Sequence, residues 1–341
     1  MTLVSRLSTL LIVLLLAGCS QDKVQVIEGS IYGTTYSVQF TENIDKEEIH
    51  TLVKAELDRI DMVFSTYKED SMISKFNRRD ESCITEESFG NCLSEEFLDL
   101  FWLSDEIHIK SEGTFNPFLN MVPPNEEGFI KGGKEVEVPY ICLEDPCDYS
   151  NVPTEFWEYF SHGSMFCYIT DCAYLGYAEN PYRDKDIILL DFSAIGKGYA
   201  VDRISALLFE NGVSNYFIDI GGELSINGTK FDELWTWGVN NPFDLNSGAY
   251  RAFSAPQSGI SIATSGEYRN PGHIWGEGPK DAVSITVIGE NTTEADAWAT
   301  AMYVLGIEKG LEIAEKEDLA VFFIKNDGKS VNSSEWSKIY P

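Results

Sequence analysis

The sequence predicts a mixed α+β fold in which largely antiparallel sheets are packed with helices. Segments with strand character outnumber the helices that would serve as crossovers, and many neighbouring strands are separated by short, hairpin-like connections. No internal repeat with a period of about 20–50 residues is present, which excludes a solenoid or propeller. The chain has 341 residues, 43% of them hydrophobic, and this is enough for a large buried core.

The individual elements follow from hydrophobic periodicity and capping residues. In the first third of the chain we predict a strand over 31–40, a helix over 49–64, a helix over 94–110 with Ser94 as N-cap, and a turn over 113–117. In the remainder the predicted elements are strands over 187–191, 216–220, 235–239, 259–263, 283–288 and 320–324, a helix that begins near Gly198, and a helix from an N-cap at Thr293 to Leu305.

The N-terminus predicts a lipoprotein signal. The apolar run Leu10–Leu16 is too short to span a bilayer, and it leads into a lipobox that ends at Cys19. We therefore expect residues 1–18 to be a signal peptide, Cys19 to carry lipid, and 19–28 to be a polar tether. This places the protein at the periplasmic face of a bacterial membrane, with the inner membrane expected. An ordinary signal peptide with a chance cysteine is the alternative.

Six cysteines remain, and residues 123–186, which differ in composition from the rest, contain four of them. The six are Cys83, Cys92, Cys142, Cys147, Cys167 and Cys172. In an oxidising compartment an even number of cysteines favours disulfides, although the pairing stays open. A four-thiolate metal site is the alternative. We interpret 123–186 as a disulfide-rich insertion.

The charge balance limits the class of partner. With 25 basic and 55 acidic residues the formal net charge is −30, which argues against nucleic acid as a partner. A ligand that carries phosphate must therefore be held locally, by a metal ion, a helix N-terminus or a single lysine.

Two motifs suit such a ligand. Asp296 and Thr300 share one helix face and offer the hard oxygen donors that Mg²⁺ prefers, although an acid in a first helical turn also complements the helix dipole. The segment 191–202 runs from a strand through a small-residue turn into a helix with Lys197 near its start. This arrangement is typical of phosphate binding, and a generic strand–helix connection is the alternative.

Two further motifs are polar, and several common ones are missing. Asp219-Ile-Gly-Gly-Glu223 sets carboxylates around paired glycines, which permit close approach of a ligand but equally suit a turn. The stretch 263–270 is rich in hydroxyl groups and contains one arginine. The sequence has no G-x-S-x-G nucleophile elbow and no G-x-G-x-x-G dinucleotide fingerprint, and its four histidines lack metal-binding spacing.

Taken in order, seven segments resemble the ApbE-type FAD:protein FMN transferases, a family of periplasmic lipoproteins. The resemblance spans roughly residues 30–310, within a predicted transferase domain over 29–341. The matching segments are Gly33–Tyr36, Ser65–Asn77, Gly113–Pro117, Asp191–Asp202, Asp219–Glu223, Ala263–Asn270 and Ser284–Gly306.

The resemblance implies a reaction and a set of partners. FAD is cleaved at its pyrophosphate in a central cleft, AMP leaves, and FMN is joined through a phosphoester to a threonine hydroxyl of an acceptor protein. Subunits of sodium-pumping NADH:quinone reductases and related membrane electron-transport complexes are the implied acceptors. A FAD pyrophosphatase or a non-catalytic flavin-binding lipoprotein of the same fold is the alternative, and an adhesion or assembly lipoprotein built on the insertion is a more distant one.

The resemblance also implies roles for individual residues. The Mg²⁺ ligands map to the Ala194 carbonyl, Asp296 and Thr300. The catalytic residues are Asp296, Lys197, which also contacts FAD, and a carboxylate that takes the acceptor proton, either Asp219 or Glu223. The remaining positions that bind FAD are Tyr32, Tyr67, Lys68, Asn116 and His273.

The sequence departs from the family pattern at three places. Tyr32 stands where the family commonly has Met, and Asn116 stands where it usually has Asp, which removes a charge. The segment 272–279 is shorter than the family loop and lacks its Asp-Pro pair. We expect this loop to affect FAD affinity or the choice of acceptor.

Overall fold

A computed structural model describes residues 23–78, 80, 84–85, 88–89, 93–117 and 190–341 of the chain. In chain order the strands are β1 (Gln25–Ile31), β2 (Thr34–Phe40), β3 (Ile84–Thr85), β4 (Ser88–Phe89), β5 (Tyr216–Ile220), β6 (Glu223–Asn227), β7 (Thr229–Lys230), β8 (Glu233–Leu234), β9 (Thr236–Asn240), β10 (Ala249–Ser254), β11 (Ile260–Ser265), β12 (Ala282–Gly289), β13 (Ala320–Lys325) and β14 (Ser330–Asn332). The helices are α1 (Lys46–Phe64), α2 (Met72–Asn77), α3 (Glu95–Lys110), α4 (Gly196–Glu210), α5 (Thr292–Lys316) and α6 (Ser334–Ile339).

The central element is an eight-stranded sheet in the order β1-β2-β5-β6-β11-β12-β13-β14. Every neighbouring pair in it is antiparallel. This confirms the predicted fold class. Three neighbouring pairs, β1–β2, β5–β6 and β13–β14, are joined by short turns, which cannot return a strand in the parallel direction.

Different elements cover the two faces of this sheet. The apolar sides of α1, α3, α4 and α5 form one large core against the sheet. On the other face the β9–β10 hairpin and α6 enclose a smaller core rich in aromatic rings, in which Trp237, Phe253 and Trp336 pack with T-shaped and stacked geometry. The functional residues lie where the helical layer meets the turn between β5 and β6.

The predicted strand over 31–40 is confirmed over 34–40 and is wrong at its beginning. The chain reverses at Tyr32 and Gly33, which both have positive φ, and Ile31 pairs with Thr34 across the turn. Two residues with positive φ form the tight hairpin turn that matches strand twist. The strand before the turn begins at Gln25, so residues 25–28 of the predicted tether belong to the sheet.

The prediction for the last long helix needs two corrections. Its N-cap is Asn291, whose side chain accepts from the Glu294 N–H, and not Thr293. The helix also continues past Leu305 to Lys316, with an irregularity at Gly306 (φ 74°). There the N–H of Ile307 donates to the Asp281 side chain instead of a helical carbonyl, which lets the helix resume beyond the irregularity.

Several predictions fall outside the described residues: the signal peptide, Cys19, the insertion 123–186, all six other cysteines and residues 187–189 of a predicted strand. The predicted helices over 49–64 and 94–110 are confirmed, the second with the expected cap at Ser94. In the ranges that the structure describes, no helix has the length and apolar character that crossing a membrane requires.

Candidate active site

A cleft of about 530 Å³ opens between the N-terminus of α4, the β5–β6 turn, the end of β11 and the face of α5. Of the residues that the sequence singled out, the cleft is lined by Ala194, Lys197, Asp219, Glu223, Asp296, Thr300, Asn116 and His273. These come from five separate stretches of the chain, and the fold brings them together at one place.

Lys197 lies between two buried carboxylates in this cleft. Its Nζ is 2.7 Å from Oε1 of Glu223 and 3.5 Å from Oδ1 of Asp296, and both acidic side chains are 2% exposed. Burial by itself lowers the pKa of Lys197, but the charges of Asp296 and Glu223 raise it above its usual value, so the amine is cationic. The cleft therefore holds a fixed positive charge at the start of a helix.

Glu223 has one oxygen without a partner. Its Oε2 is buried and has no hydrogen-bond partner among the described residues. Burial raises the pKa of Glu223 to about 8, although the nearby Lys197 lowers it. A buried carboxylate oxygen that lacks a donor is costly, and such groups cluster at functional sites.

The helices α4 and α5 approach each other very closely at Gly198. A Cβ atom at this position would lie 2.8 Å from Cβ of Asp296, and closer still to the Thr292 carbonyl oxygen. Without a side chain, the Gly198 N–H reaches Oδ2 of Asp296 at 2.9 Å. The glycine thus lets the backbone of one helix orient the carboxylate of the other.

Asp202, one turn further along α4, holds the beginning of α5. Its carboxylate accepts from the N–H groups of Thr292 (2.9 Å) and Thr293 (2.8 Å) and from the Thr293 hydroxyl (2.5 Å). Burial raises the pKa of Asp202, and these donors lower it. A carboxylate at a helix N-terminus satisfies N–H groups that have no intrahelical acceptor. It fixes α5, and with it Asp296 and Thr300, relative to Lys197.

The residues that the resemblance assigns to Mg²⁺ fit a divalent cation. In a regular helix the Gly198 N–H would donate to the Ala194 carbonyl, but here it donates to Asp296. Among the described residues no other backbone N–H donates to that carbonyl. Asp296 and Thr300 lie one turn apart on α5 and line the same cleft. Carbonyl, carboxylate and hydroxyl oxygens are donors that Mg²⁺ accepts.

This donor set differs from a cluster of acidic or imidazole ligands. Within the described ranges no group of three or more His, Cys, Asp or Glu side chains is arranged to hold a metal ion. The set at Ala194, Asp296 and Thr300 contains a single carboxylate. Mg²⁺ usually keeps several waters and takes substrate phosphates as ligands, so a single protein carboxylate is enough.

Asp219 faces the cleft across the β5–β6 turn. Its Oδ1 accepts from the N–H of Gly222 at 2.9 Å. Burial raises its pKa, while this N–H and the charge of Arg269 lower it. Gly222 has a φ of 109° and no atom within 4 Å of the place where a Cβ would stand, so the turn presents bare backbone to the cleft.

Three predicted FAD-binding residues do not line the cleft. The Tyr32 hydroxyl donates to the Leu57 carbonyl at 3.0 Å and its ring packs against the core. Lys68 pairs with Asp61 at 2.7 Å, and Tyr67 is 73% exposed. The structure therefore leaves the FAD-binding roles of Tyr32, Tyr67 and Lys68 as predictions.

Sequence reasoning missed several residues of the cleft. Trp237 and Asn240 of β9, and Trp275 on the loop after β11, line it. No short motif marks the two β9 residues, because they reach the cleft only through the packing of the β9–β10 hairpin. Trp275 lies in the segment that departs from the family pattern, and that departure was the sequence feature that could have pointed to Trp275 as a cleft residue.

Comparison with known proteins identifies the family of this chain. The model of the ApbE family matches residues 32–123 and 170–323. The chain belongs to the ApbE family. Among relatives of the ApbE chain, the FAD:protein FMN transferase of Escherichia coli K12 is 28% identical over 358 residues, which cover 96% of this chain and 93% of the relative. That of Salmonella typhimurium LT2 is 28% identical over 92% of this chain and 90% of its own length.

Solved structures of ApbE proteins share the fold. The apo form of the flavinyl transferase ApbE of Pseudomonas stutzeri superimposes with a TM-score of 0.64 at 24% identity, covering 94% of this chain and 99% of that one. The ApbE protein of Thermotoga maritima gives a TM-score of 0.65 at 20% identity, over 94% and 100% of the two chains. At such identities the likeness shows the fold alone.

Proposed function

We propose that this ApbE chain is a Mg²⁺-dependent FAD:protein FMN transferase, which moves FMN from FAD to a threonine hydroxyl of an acceptor protein and releases AMP. The observation that carries the proposal is the meeting of Lys197 with the oxygen atoms of Ala194, Asp296 and Thr300 in one cleft. The names of the relatives support the same activity.

The charges in the cleft explain the need for a cation. Even with Glu223 protonated, the acidic side chains that line it, Asp191, Asp219 and Asp296, outnumber the basic ones, Lys197 and Arg269. A pyrophosphate entering this cleft meets net repulsion unless further positive charge is present. When bound, Mg²⁺ supplies positive charge to the pyrophosphate oxygens and to the departing phosphate of AMP. Ala194, Asp296 and Thr300 are the residues that would hold it.

The protein's own groups then position the reactants and move one proton. Lys197 binds the pyrophosphate. Phosphoryl transfer depends more on such positioning and charge neutralisation than on covalent help from the protein. The acceptor hydroxyl oxygen forms a bond to the phosphorus on the FMN side, and the bond between that phosphorus and the oxygen bridging to AMP breaks. Asp219 accepts the hydroxyl proton, and AMP leaves with the bridging oxygen. The raised pKa of Asp219 suits a group that takes and returns a proton.

The acceptor and the location complete the proposal. We assign the acceptor to subunits of sodium-pumping NADH:quinone reductases or related membrane electron-transport complexes, as the family resemblance implies. A lipid anchor on Cys19 would hold the enzyme at the periplasmic face of the membrane, most simply the inner one, beside such complexes.

The test is flavinylation of a purified acceptor subunit. The protein is incubated with FAD, Mg²⁺ and the acceptor, the acceptor band is examined for flavin fluorescence on a denaturing gel, and AMP is measured. We expect a fluorescent band and equimolar AMP, both abolished by EDTA and restored by added Mg²⁺. Asp296→Ala should lower the rate by about 100-fold, since it removes the carboxylate ligand.

The control for this variant is Glu290→Ala, which removes an exposed acid just before α5 and outside the cleft. It should leave the rate unchanged. AMP release without a labelled acceptor, over a panel of threonine-containing acceptor subunits, would contradict transfer and establish hydrolysis of FAD. Equal rates with and without EDTA would contradict the role of Mg²⁺.

A further inference from the structure

The loop over 271–279 forms one rim of the cleft and exposes a tryptophan there. His273, Ile274 and Trp275 all line the cleft, and Ile274 is buried. The indole of Trp275 is 45% exposed. The buried side chain of Ile274 anchors the loop, and the exposed indole of the next residue lies at the cavity edge and not in the core.

Contacts to α5 and to the preceding turn fix this loop. The N–H of Ile274 donates to Glu267 at 3.2 Å, and the other oxygen of Glu267 accepts from the Tyr303 hydroxyl of α5 at 3.2 Å. Gly276 lies so close to Val304 that a Cβ there would be 2.5 Å from its Cγ1, and Gly278 approaches the Val304 carbonyl even more closely. Two glycines therefore let the loop lie directly on the helix.

We propose that the indole of Trp275 is a stacking surface for a planar aromatic ring of FAD and so determines affinity for the dinucleotide. The proposal rests on the proposed function and names the part of the substrate that this rim recognises. FAD carries two flat rings, the isoalloxazine and the adenine, and an indole face stacks on either. Because the loop is already fixed, little conformational entropy is lost when the ring binds.

The exposure of Trp275 distinguishes it from the other aromatic residues of the cleft. Besides carboxylates and hydroxyls, five aromatic side chains line the cleft: Phe115, Phe217, Trp237, Tyr268 and Trp275. Only Trp275 among these five is exposed, and the other four are buried or half-buried. Trp237, the other tryptophan of the cleft, is only 3% exposed and stacks on Phe253. Trp275 therefore presents the larger accessible indole surface of the two.

The test compares substitutions that keep an aromatic ring at position 275 with substitutions that remove it. Binding of FAD, FMN and ADP to the full chain is measured by calorimetry with Mg²⁺ present, for the unmodified protein, Trp275→Phe, Trp275→Leu and Trp275→Ala. We expect the Kd for FAD to rise about 5- to 100-fold in the Leu and Ala variants and to change about threefold or less in the Phe variant. Phe243→Ala, which removes an exposed aromatic side chain outside the cleft, should have no effect.

The two mononucleotides identify the ring. Weaker FMN binding in Trp275→Leu assigns the indole to the isoalloxazine, and weaker ADP binding assigns it to the adenine. The proposal is overturned if the unmodified protein binds FAD and Trp275→Leu binds it equally well, or if the Phe and Leu variants lose affinity to the same degree. If the unmodified protein does not bind FAD at all, the proposed function fails first and this inference fails with it.

Discussion

The backbone N–H of Gly198 donates to Oδ2 of Asp296 across 2.9 Å, and this bond joins the two helices that form the candidate active site. It orients the carboxylate and, in the same arrangement, leaves the Ala194 carbonyl without a backbone donor among the described residues. A single glycine thus prepares two of the three oxygen donors that we assign to the cation.

Replacing Gly198 with alanine should separate α4 from α5. The added methyl would lie 2.8 Å from Cβ of Asp296, so backbone must move, at a cost of about 1–3 kcal/mol. We expect the Tm to fall by several degrees and transferase activity to be lost, as measured by calorimetry and by flavinylation. Gly196→Ala is the matched control, because nothing lies within 4 Å of its Cβ position, and it should be neutral or slightly stabilising. Equal behaviour of the two variants would refute the close-approach argument.

Asp202→Asn should weaken cation binding, although Asp202 does not line the cleft. The amide keeps one acceptor oxygen but cannot serve the Thr292 and Thr293 N–H groups and the Thr293 hydroxyl together. We expect the stability to fall by about 1–2 kcal/mol, as is typical for the loss of a helix cap, and the Mg²⁺ concentration for half-maximal activity to rise about 10-fold. Chemical denaturation and a Mg²⁺ titration measure the two effects. Glu210→Gln, an exposed change on the same helix, should alter neither; an unchanged Mg²⁺ requirement in Asp202→Asn would argue against a positioning role.

Thr300→Val should raise the Mg²⁺ requirement while preserving the fold. Valine has the shape of threonine but lacks the hydroxyl, which in the structure lies 3.3 Å from the Ser265 hydroxyl. We expect about a 10-fold higher Mg²⁺ concentration for half-maximal flavinylation and a Tm within about 3 °C of the unmodified protein. Thr51→Val, on the exposed side of α1, is the control. If high Mg²⁺ fails to restore activity, the hydroxyl has another role.

The raised pKa of Glu223 predicts how stability depends on pH in the absence of Mg²⁺ and FAD. Burial raises its pKa in the folded chain to about 8 from an ordinary value of 4.5, so between these pH values the folded chain holds a proton that the unfolded chain has released. Stability is therefore lost as pH rises through this window. Glu223→Gln cannot ionise, so its Tm relative to the unmodified protein should increase from pH 5 to pH 9.

Thermal denaturation at several pH values measures this difference, with the exposed Glu233→Gln as control. Asp202 and Asp219 also have raised pKa values from burial, so the variant should flatten the pH dependence without removing it. Two parallel curves for Glu223→Gln and the unmodified protein would show that Glu223 is ionised throughout the range.

Most of the fold was predictable from local patterns. The errors of the prediction lie where tertiary contacts determine the backbone conformation. The helices over 49–64 and 94–110 follow from apolar periodicity and a serine cap, which are properties of a few consecutive residues. The turn at Tyr32 was missed because tyrosine rarely adopts positive φ, and here its hydroxyl is held by the Leu57 carbonyl. The extension of α5 past Gly306 was missed because it depends on Asp281, a residue distant in sequence.

By itself the sequence determined the fold class, the ApbE resemblance and the residue types of the site, because strand and helix patterns and motif spacing are local. Only the tertiary structure decided which of those residues meet. It brought Lys197 between Glu223 and Asp296, added Trp237 and Trp275 to the cleft, and left Tyr67 and Lys68 outside it. The physical reason is that packing fixes the distances between side chains on different elements. The close approach of α4 and α5 at Gly198 is one example. Such packing depends on pairs of segments that are distant in the sequence, so the order of residues alone does not reveal it.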